Sequence, residues 1–107
     1  MSKSTRGRLV LRRHIKVVEY AGTFAENKDA AAVIRDTWLL PALKRSADEV
    51  EMDFENVEYA TQSFIHAMLA KVIRTNGEWL DLITFSNCSD AVQGIIEIVV
   101  DYAQETD

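Results

Sequence analysis

The sequence predicts one small α/β domain with a mostly parallel or mixed sheet of about four strands and three main helices. Segments of period-2 alternation are followed by segments with apolar residues at helical spacing, and this order recurs three times along the 107 residues. Because consecutive parallel strands need a crossover connection, the repeated order favours parallel pairing. With 48% hydrophobic residues, the chain can bury one core, and it is too short for two ordinary domains.

The first half is predicted to hold one or two strands and an interrupted helix. From Arg8 to Tyr20 the odd positions are mostly apolar, which is typical of a strand, and a glycine-containing turn follows at residues 21–23. A helix should start near Lys28 or Asp29. Pro41 has no amide hydrogen and its ring crowds the carbonyl four residues earlier, so we expect a kink or a brief break there.

The middle of the chain changes period once. Val50–Glu55 alternates apolar and acidic residues, which predicts a strand with one face in the core. Paired apolar residues every four positions between residues 64 and 73 then predict the best-defined helix. Thr61 or Ser63 can cap its start, and Asn76–Gly77 should end it with a left-handed residue.

The last third repeats the order of strand and helix. Trp79–Phe85 is apolar on both faces, which predicts a buried strand. Apolar residues from Ala91 to Ala103 again have helical spacing, with Ser89 or Asp90 as the cap. Gly94 is small enough to allow close approach of a neighbouring element.

Charge divides the chain into a basic start and an acidic remainder. The formal net charge is -5, yet six basic residues precede the first acidic one, and the other six basic and 17 acidic residues leave -11. We expect residues 1–7 to form a flexible basic arm on a domain spanning residues 8–104. The favoured interpretation is that these cations pair with the acidic remainder of the same domain or with nothing, and binding of nucleic acid is the less favoured alternative function that the sequence suggests. The six basic residues are Lys3, Arg6, Arg8, Arg12, Arg13 and Lys16.

Cysteine usage and hydropathy point to the cytoplasm. The one cysteine, Cys88, cannot form an internal disulfide, and the chain shows no secretory signal and no apolar run long enough for a membrane span. We therefore expect a cytoplasmic protein without a membrane partner.

The usual parts of a catalytic, cofactor or metal site do not occur together in the sequence. His14 and His66 lie in no nucleophile motif, and the four glycines are scattered. The acidic row Glu51, Asp53 and Glu55 is expected to be a solvated or partner-facing surface rather than a metal site, and it leaves room for a homodimer.

One loop leaves an enzymatic alternative open. Residues 86–90 precede a predicted helix, whose free amides could hold an anion, although capping alone explains the same residues. Cys88 lies near that helix start, where a thiolate is favoured, so a reactive thiol is an alternative to a buried, inert one.

Two short segments carry a family resemblance. Residues 50–64 resemble the STAS signature. In that signature, a strand that ends in Asp and an apolar residue leads through a turn to a helix start with hydroxyl side chains. The closer resemblance is to STAS-like small bacterial proteins, which have segments similar to Leu40–Leu43 and Thr61–Phe64. The resemblance covers roughly residues 15 to 104 and implies a STAS-like single domain.

The resemblance also implies a function. In STAS domains that antagonise anti-sigma factors, a partner kinase phosphorylates a serine at this helix start, and Ser63 occupies that position. It implies a regulatory interaction module without cofactors, whose partner is a regulatory protein such as a histidine-kinase-like ATPase. The implied partner surface comprises Thr61, Gln62, Phe64 and Asp53. Thr61 replaces the antagonists' Asp and Phe64 replaces their Gly, so Ser63 as a helix cap alone is the alternative.

Overall fold

The computed structural model of the chain describes residues 12–46 and 49–105. The strands are β1 Arg12–Lys16, β2 Phe24–Ala25, β3 Glu49–Asp53, β4 Tyr59–Ala60 and β5 Ile83–Ser86. The helices are α1 Val18–Ala21, α2 Lys28–Val33, a π-helical segment Ile34–Leu39, α3 Leu40–Ser46, α4 Gln62–Thr75, a 3-10 segment Gly77–Leu82 and α5 Asp90–Glu105. The predicted basic arm, residues 1–7, lies outside the described residues.

The described strands form two parallel sheets. The larger has the order β1-β3-β5, with β3 in the middle, and the smaller pairs β2 with β4. The predicted α/β class with parallel pairing is confirmed, although the strands are divided between two sheets. In the register of the larger sheet, His14 lies beside Glu51 and Asp53 lies beside Ser86.

The larger sheet is apolar on one face and polar on the other. Ile15 and Met52 are neighbours in the register, and both are buried in the core. One residue earlier in each strand, His14 is exposed and Glu51 is half-buried. This alternation is the period-2 pattern of the strands. The helices provide much of the rest of the core, chiefly through the buried apolar face of α4.

The first strand is shorter than predicted, and the turn after it is as expected. The first strand ends at Lys16, because the backbone turns at Val17, whose carbonyl accepts hydrogen bonds from the amides of Tyr20 and Ala21. The turn that follows is confirmed, with Gly22 at a φ of 77°, in the left-handed region that glycine tolerates.

The disturbance predicted at Pro41 is a π-helical turn followed by a new α-helical start. Pro41 is the second residue of α3, where a missing amide hydrogen costs least. Just before it, the amide of Leu40 bonds to the carbonyl of Arg35, five residues back. The wider turn removes the α-helical register in which the proline ring would crowd a carbonyl.

The strand predicted at Trp79–Phe85 is wrong over its first half. Residues 77–82 form a 3-10 helix, and the strand begins only at Ile83. The side chain of Asn76 accepts a hydrogen bond from the amide of Glu78 and caps this segment. Asn76 is itself extended, with φ of -156°, so the predicted left-handed end of α4 is wrong as well.

The last helix is capped as predicted, but no neighbouring element packs closely against its glycine. Ser89 accepts a hydrogen bond from the amide of Val92 at 3.1 Å. Apart from Gly94 itself, its two chain neighbours and the nearby backbone of its own helix, no atom of the described residues lies within 4 Å of the point where a Cβ on Gly94 would stand, so the predicted close approach is wrong. None of the helices in the described ranges is long and apolar enough to cross a membrane.

Candidate functional site

The start of α4 is fixed by a side-chain cap. Thr61 has an extended backbone, and its hydroxyl oxygen accepts a hydrogen bond from the amide of Phe64 at 3.1 Å. Its own amide donates to the carbonyl of Ala25, which ties the helix start to the smaller sheet. Thr61 is therefore the cap, and Ser63, which lies inside the helix as its second residue, is not.

Replacing Thr61 by alanine should lower the free energy of unfolding by about 1 kcal/mol, because one helix amide loses its acceptor. Chemical denaturation of the purified protein measures this difference. Thr61→Ser keeps the hydroxyl and should stay close to wild type. An equal loss in Ser63→Ala would contradict the assignment of the cap.

Ser63 lies in a shallow groove of about 500 Å³ between α4, α5 and the start of α2. Its side chain is exposed, as is that of Gln62. His66 follows one turn later on the same helix, and its ring centroid is 6.4 Å from that of Tyr102, which is 52% exposed. We call this the Ser63 groove; the residues that line it are Lys28, Gln62, Ser63, His66, Ala67, Val99 and Tyr102.

Two of the residues expected on a partner surface are buried. Phe64 has no exposed surface and belongs to the core, and Asp53 is only 4% exposed. The prediction that their side chains face a partner is therefore wrong. Phe64 is apolar on the inner face of an amphipathic helix, and burial there removes its ring from water. Gln62 and Ser63 remain exposed, with Thr61 half-buried.

Asp53 lies at the end of β3 in a polar cluster drawn from three strands. One carboxylate oxygen, Oδ1, accepts hydrogen bonds from the amide of Glu55 and from Nδ2 of Asn87, both at 2.9 Å. The other, Oδ2, lies 2.7 Å from Nε2 of His14. Beside it, the hydroxyl of Ser86 donates to Glu51 at 2.7 Å. The solvated surface expected for the acidic row is therefore wrong at Asp53.

These contacts keep the Asp53 carboxyl ionised. The hydrogen bond from Asn87 lowers its pKa most, the amide of Glu55 and His14 lower it further, and burial opposes them, so the pKa is about 2. A carboxylate with that pKa carries no proton at neutral pH. The proton in the short contact therefore belongs to Nε2 of His14, which donates.

Asp53 also holds the turn that leads to the helix carrying Ser63. Its bond to the amide of Glu55 holds the first part of the turn between β3 and β4, and Asn56 there has φ of 67°. The amide of Val57 closes the turn on the carbonyl of Phe54 at 3.0 Å. The turn leads directly through β4 to Thr61, so the buried carboxylate and the capped helix start are parts of one connected structure.

Three side chains of this cluster are of types that bind divalent metals. His14, Glu51 and Asp53 each offer one ligand atom, and these atoms lie within 4.8 Å of one another. However, both oxygens of Asp53 already accept hydrogen bonds from protein groups. A metal would therefore have to displace His14 from its contact with Oδ2 of Asp53.

Cys88 does not have the setting of a reactive thiol. Its side chain is half-buried, and burial together with the nearby charge of Asp53 raises the pKa of the thiol. Its Sγ lies 3.8 Å from the carbonyl of Ser86. The thiolate suggested by the helix start is therefore disfavoured, because a neighbouring anion opposes it.

Sequence reasoning missed the partners that come from distant segments. Asn87 lies in the polar loop 86–90, to which the sequence assigns no specific contact. Its hydrogen bond nevertheless lowers the pKa of Asp53 more than any other contact does, and its φ is 56°. Lys28 is predicted only as a helix start, and no sequence motif singles out Tyr102, yet both line the Ser63 groove. The one signal for Tyr102 was an aromatic ring outside the apolar spacing of its helix.

Comparison of the sequence with known protein families assigns the chain to one of them. Residues 30–93, more than half of the chain, match the model of a family described as a STAS-like domain of unknown function. No curated protein and no solved structure matches the chain. The matched segment runs from α2 to the start of α5 and contains both the capped start of α4 and Asp53, so the chain belongs to this STAS-like family.

Proposed function

We propose that this domain is a non-enzymatic regulatory interaction module that binds a partner protein through the Ser63 groove, and that phosphorylation of Ser63 controls the binding. The observation that carries the proposal is the position of Ser63. It is exposed in the first turn of a long helix, while the neighbouring Thr61 does the capping. Its hydroxyl is therefore not required for the fold and is accessible to a kinase.

The groove suits a switch based on charge. A phosphate on Ser63 would add about -1.5 to -2 charges beside the free amides of the helix start, where the helix dipole favours an anion. Lys28 lines the same groove and supplies a cation for that phosphate. Burying the same charge against an apolar partner would cost free energy, because the phosphate would lose its water. Phosphorylation would therefore favour the unbound domain over the complex.

The rest of the groove suits a protein partner. The half-exposed ring of Tyr102 and the side chain of His66 offer a small contact area with both apolar and polar parts. Aromatic residues of this kind are enriched at protein interfaces. The resemblance to antagonists of anti-sigma factors names the class of partner, a regulatory protein such as a histidine-kinase-like ATPase.

The experiment uses any histidine-kinase-like ATPase that is found to be encoded beside this gene. Each is purified and mixed with the full chain, complex formation is measured by calorimetry, and phosphate on Ser63 is sought by mass spectrometry after addition of ATP. We expect one ATPase to bind wild type and Ser63→Ala, to phosphorylate wild type alone, and to bind Ser63→Glu at least about tenfold more weakly.

A matched control separates position from charge. Gln104→Glu adds the same negative charge at an exposed site in the last turn of α5 and should leave the affinity unchanged. The proposal fails when none of these ATPases binds, or when Ser63→Glu and Gln104→Glu bind as tightly as wild type.

A further inference from the structure

A second groove, of about 630 Å³, lies between β1 and the helical segment before and after Pro41. All five residues of β1 line it, although successive side chains of a strand point to opposite faces. A groove over one face of the sheet would be lined by alternate residues only. This groove therefore runs along the edge of the strand. The residues on its helical side are Thr37, Trp38, Pro41, Ala42 and Arg45.

The groove lies on the side of β1 that is away from β3. Within residues 12–46 and 49–105, β1 pairs with β3 alone, and the described residues that line the groove include none from β3. The edge of a strand presents backbone N–H and C=O groups in a row, which is a template for another strand. In the described part of the chain this row faces the groove.

The side chains around this edge have a strongly positive balance. Glu19 is the one acidic residue among the described lining residues, in a chain whose net charge is -5. Trp38 is 46% exposed and, with Pro41 and Ala42, provides an apolar wall. The cationic side chains of the lining are Arg12, Arg13, Lys16 and Arg45, of which Arg12 also forms an ion pair with Glu49 at 3.1 Å.

We propose that this groove binds an extended acidic segment of a partner protein, which adds to the sheet as a strand beside β1. The backbone edge would supply hydrogen bonds, the cations would attract alternate acidic side chains, and Trp38 would cover the apolar ones. The site involves neither Ser63 nor any residue of the Ser63 groove, so it is a second contact surface that stands or falls independently of the proposed function.

Charge argues against a second copy of this chain at the same edge. An antiparallel pairing of two β1 strands centred on His14 would place Arg12 of one copy opposite Lys16 of the other, twice. Like charges directly opposite each other destabilise a strand pair. A partner with acidic side chains has the complementary charge, whereas the edge of this chain repels itself.

The probe is a fluorescein-labelled decapeptide of alternating Glu and Val, and its binding to the full chain is measured by fluorescence anisotropy at low salt. We expect Arg45→Glu to weaken binding about tenfold and Trp38→Ala several-fold, since both side chains line the groove. Lys44→Glu changes the same charge one residue away, outside the lining, and should bind as wild type does. Bound peptide should also slow hydrogen exchange of the amides in residues 12–16.

A second peptide tests strand addition itself. The same decapeptide with N-methylated valines keeps its charge but loses backbone donors, and its binding should be lost. Equal binding of both peptides, or equal weakening by Lys44→Glu and Arg45→Glu, would show charge attraction without a strand. Absence of binding, or tighter binding of a short oligothymidylate, overturns the proposal, and the latter result favours nucleic acid instead.

Discussion

Replacing Phe64 by alanine should lower the free energy of unfolding by about 3 to 5 kcal/mol, as expected for a fully buried aromatic side chain. Phe64 is one of the largest side chains with no exposed surface. Its removal takes away buried apolar area and leaves a cavity that the surrounding helices fill only partly. Small domains are stable by about 5 to 15 kcal/mol, so the variant should unfold at a much lower denaturant concentration.

A matched control for this substitution lies on α5. Ile98 is 51% exposed, and Ile98→Ala should change stability by no more than about 0.5 kcal/mol. Denaturant unfolding followed by circular dichroism compares the three proteins. Wild-type stability of Phe64→Ala would mean that the ring lies at the surface, as the resemblance to STAS proteins first implied.

Stability should fall steeply as the pH drops from about 4 to about 2, because the unfolded chain takes up a proton at Asp53 in this range while the folded protein largely does not. Its folded pKa is about 2, below the ordinary value of 3.8. A lowered folded pKa stabilises the protein fully above the unfolded pKa, and that stability disappears as the pH falls through the folded pKa. The difference between the two values corresponds to about 2.5 kcal/mol.

The variant Asp53→Asn separates this carboxyl from the others. At pH 7 it should be less stable than wild type by about 2 kcal/mol, since the charged contact with His14 is lost. The difference should shrink toward pH 2, where wild type is losing the same charge. Asp81→Asn removes an exposed carboxylate and should leave the pH profile unchanged. A constant difference between Asp53→Asn and wild type from pH 7 to pH 2 would refute the assignment.

Local patterns were enough for the elements that have one clear period. The paired apolar residues of α4 and the alternation of β3 predicted both elements close to their bounds. The strand predicted from Trp79 is wrong up to residue 82 because Trp79, Leu80 and Leu82 suit a half-buried 3-10 helix as well as a strand. The cap at Asn76, whose side chain accepts a hydrogen bond from the amide of Glu78, favours the 3-10 helix, whereas the sequence predicts that Asn76 and Gly77 end α4.

The candidate site was predictable in its first turn but not in its surroundings. A Thr and a Ser near the start of a strong helix predicted the cap, and the structure selects Thr61. The burial of Asp53 depends on His14 and Asn87, which are 39 and 34 residues away in the chain. Such contacts come from the order of the strands in the sheet, which no local period encodes.

The order β1-β3-β5 also constrains how fast the domain can fold. The contact between Arg12 and Glu49 joins residues 37 apart, and that between Glu51 and Ser86 joins residues 35 apart. Closing such long loops costs conformational entropy before any strand pair forms. The central strand therefore gains its neighbours late, after the helices between the strands have formed, and folding should take milliseconds or longer rather than microseconds.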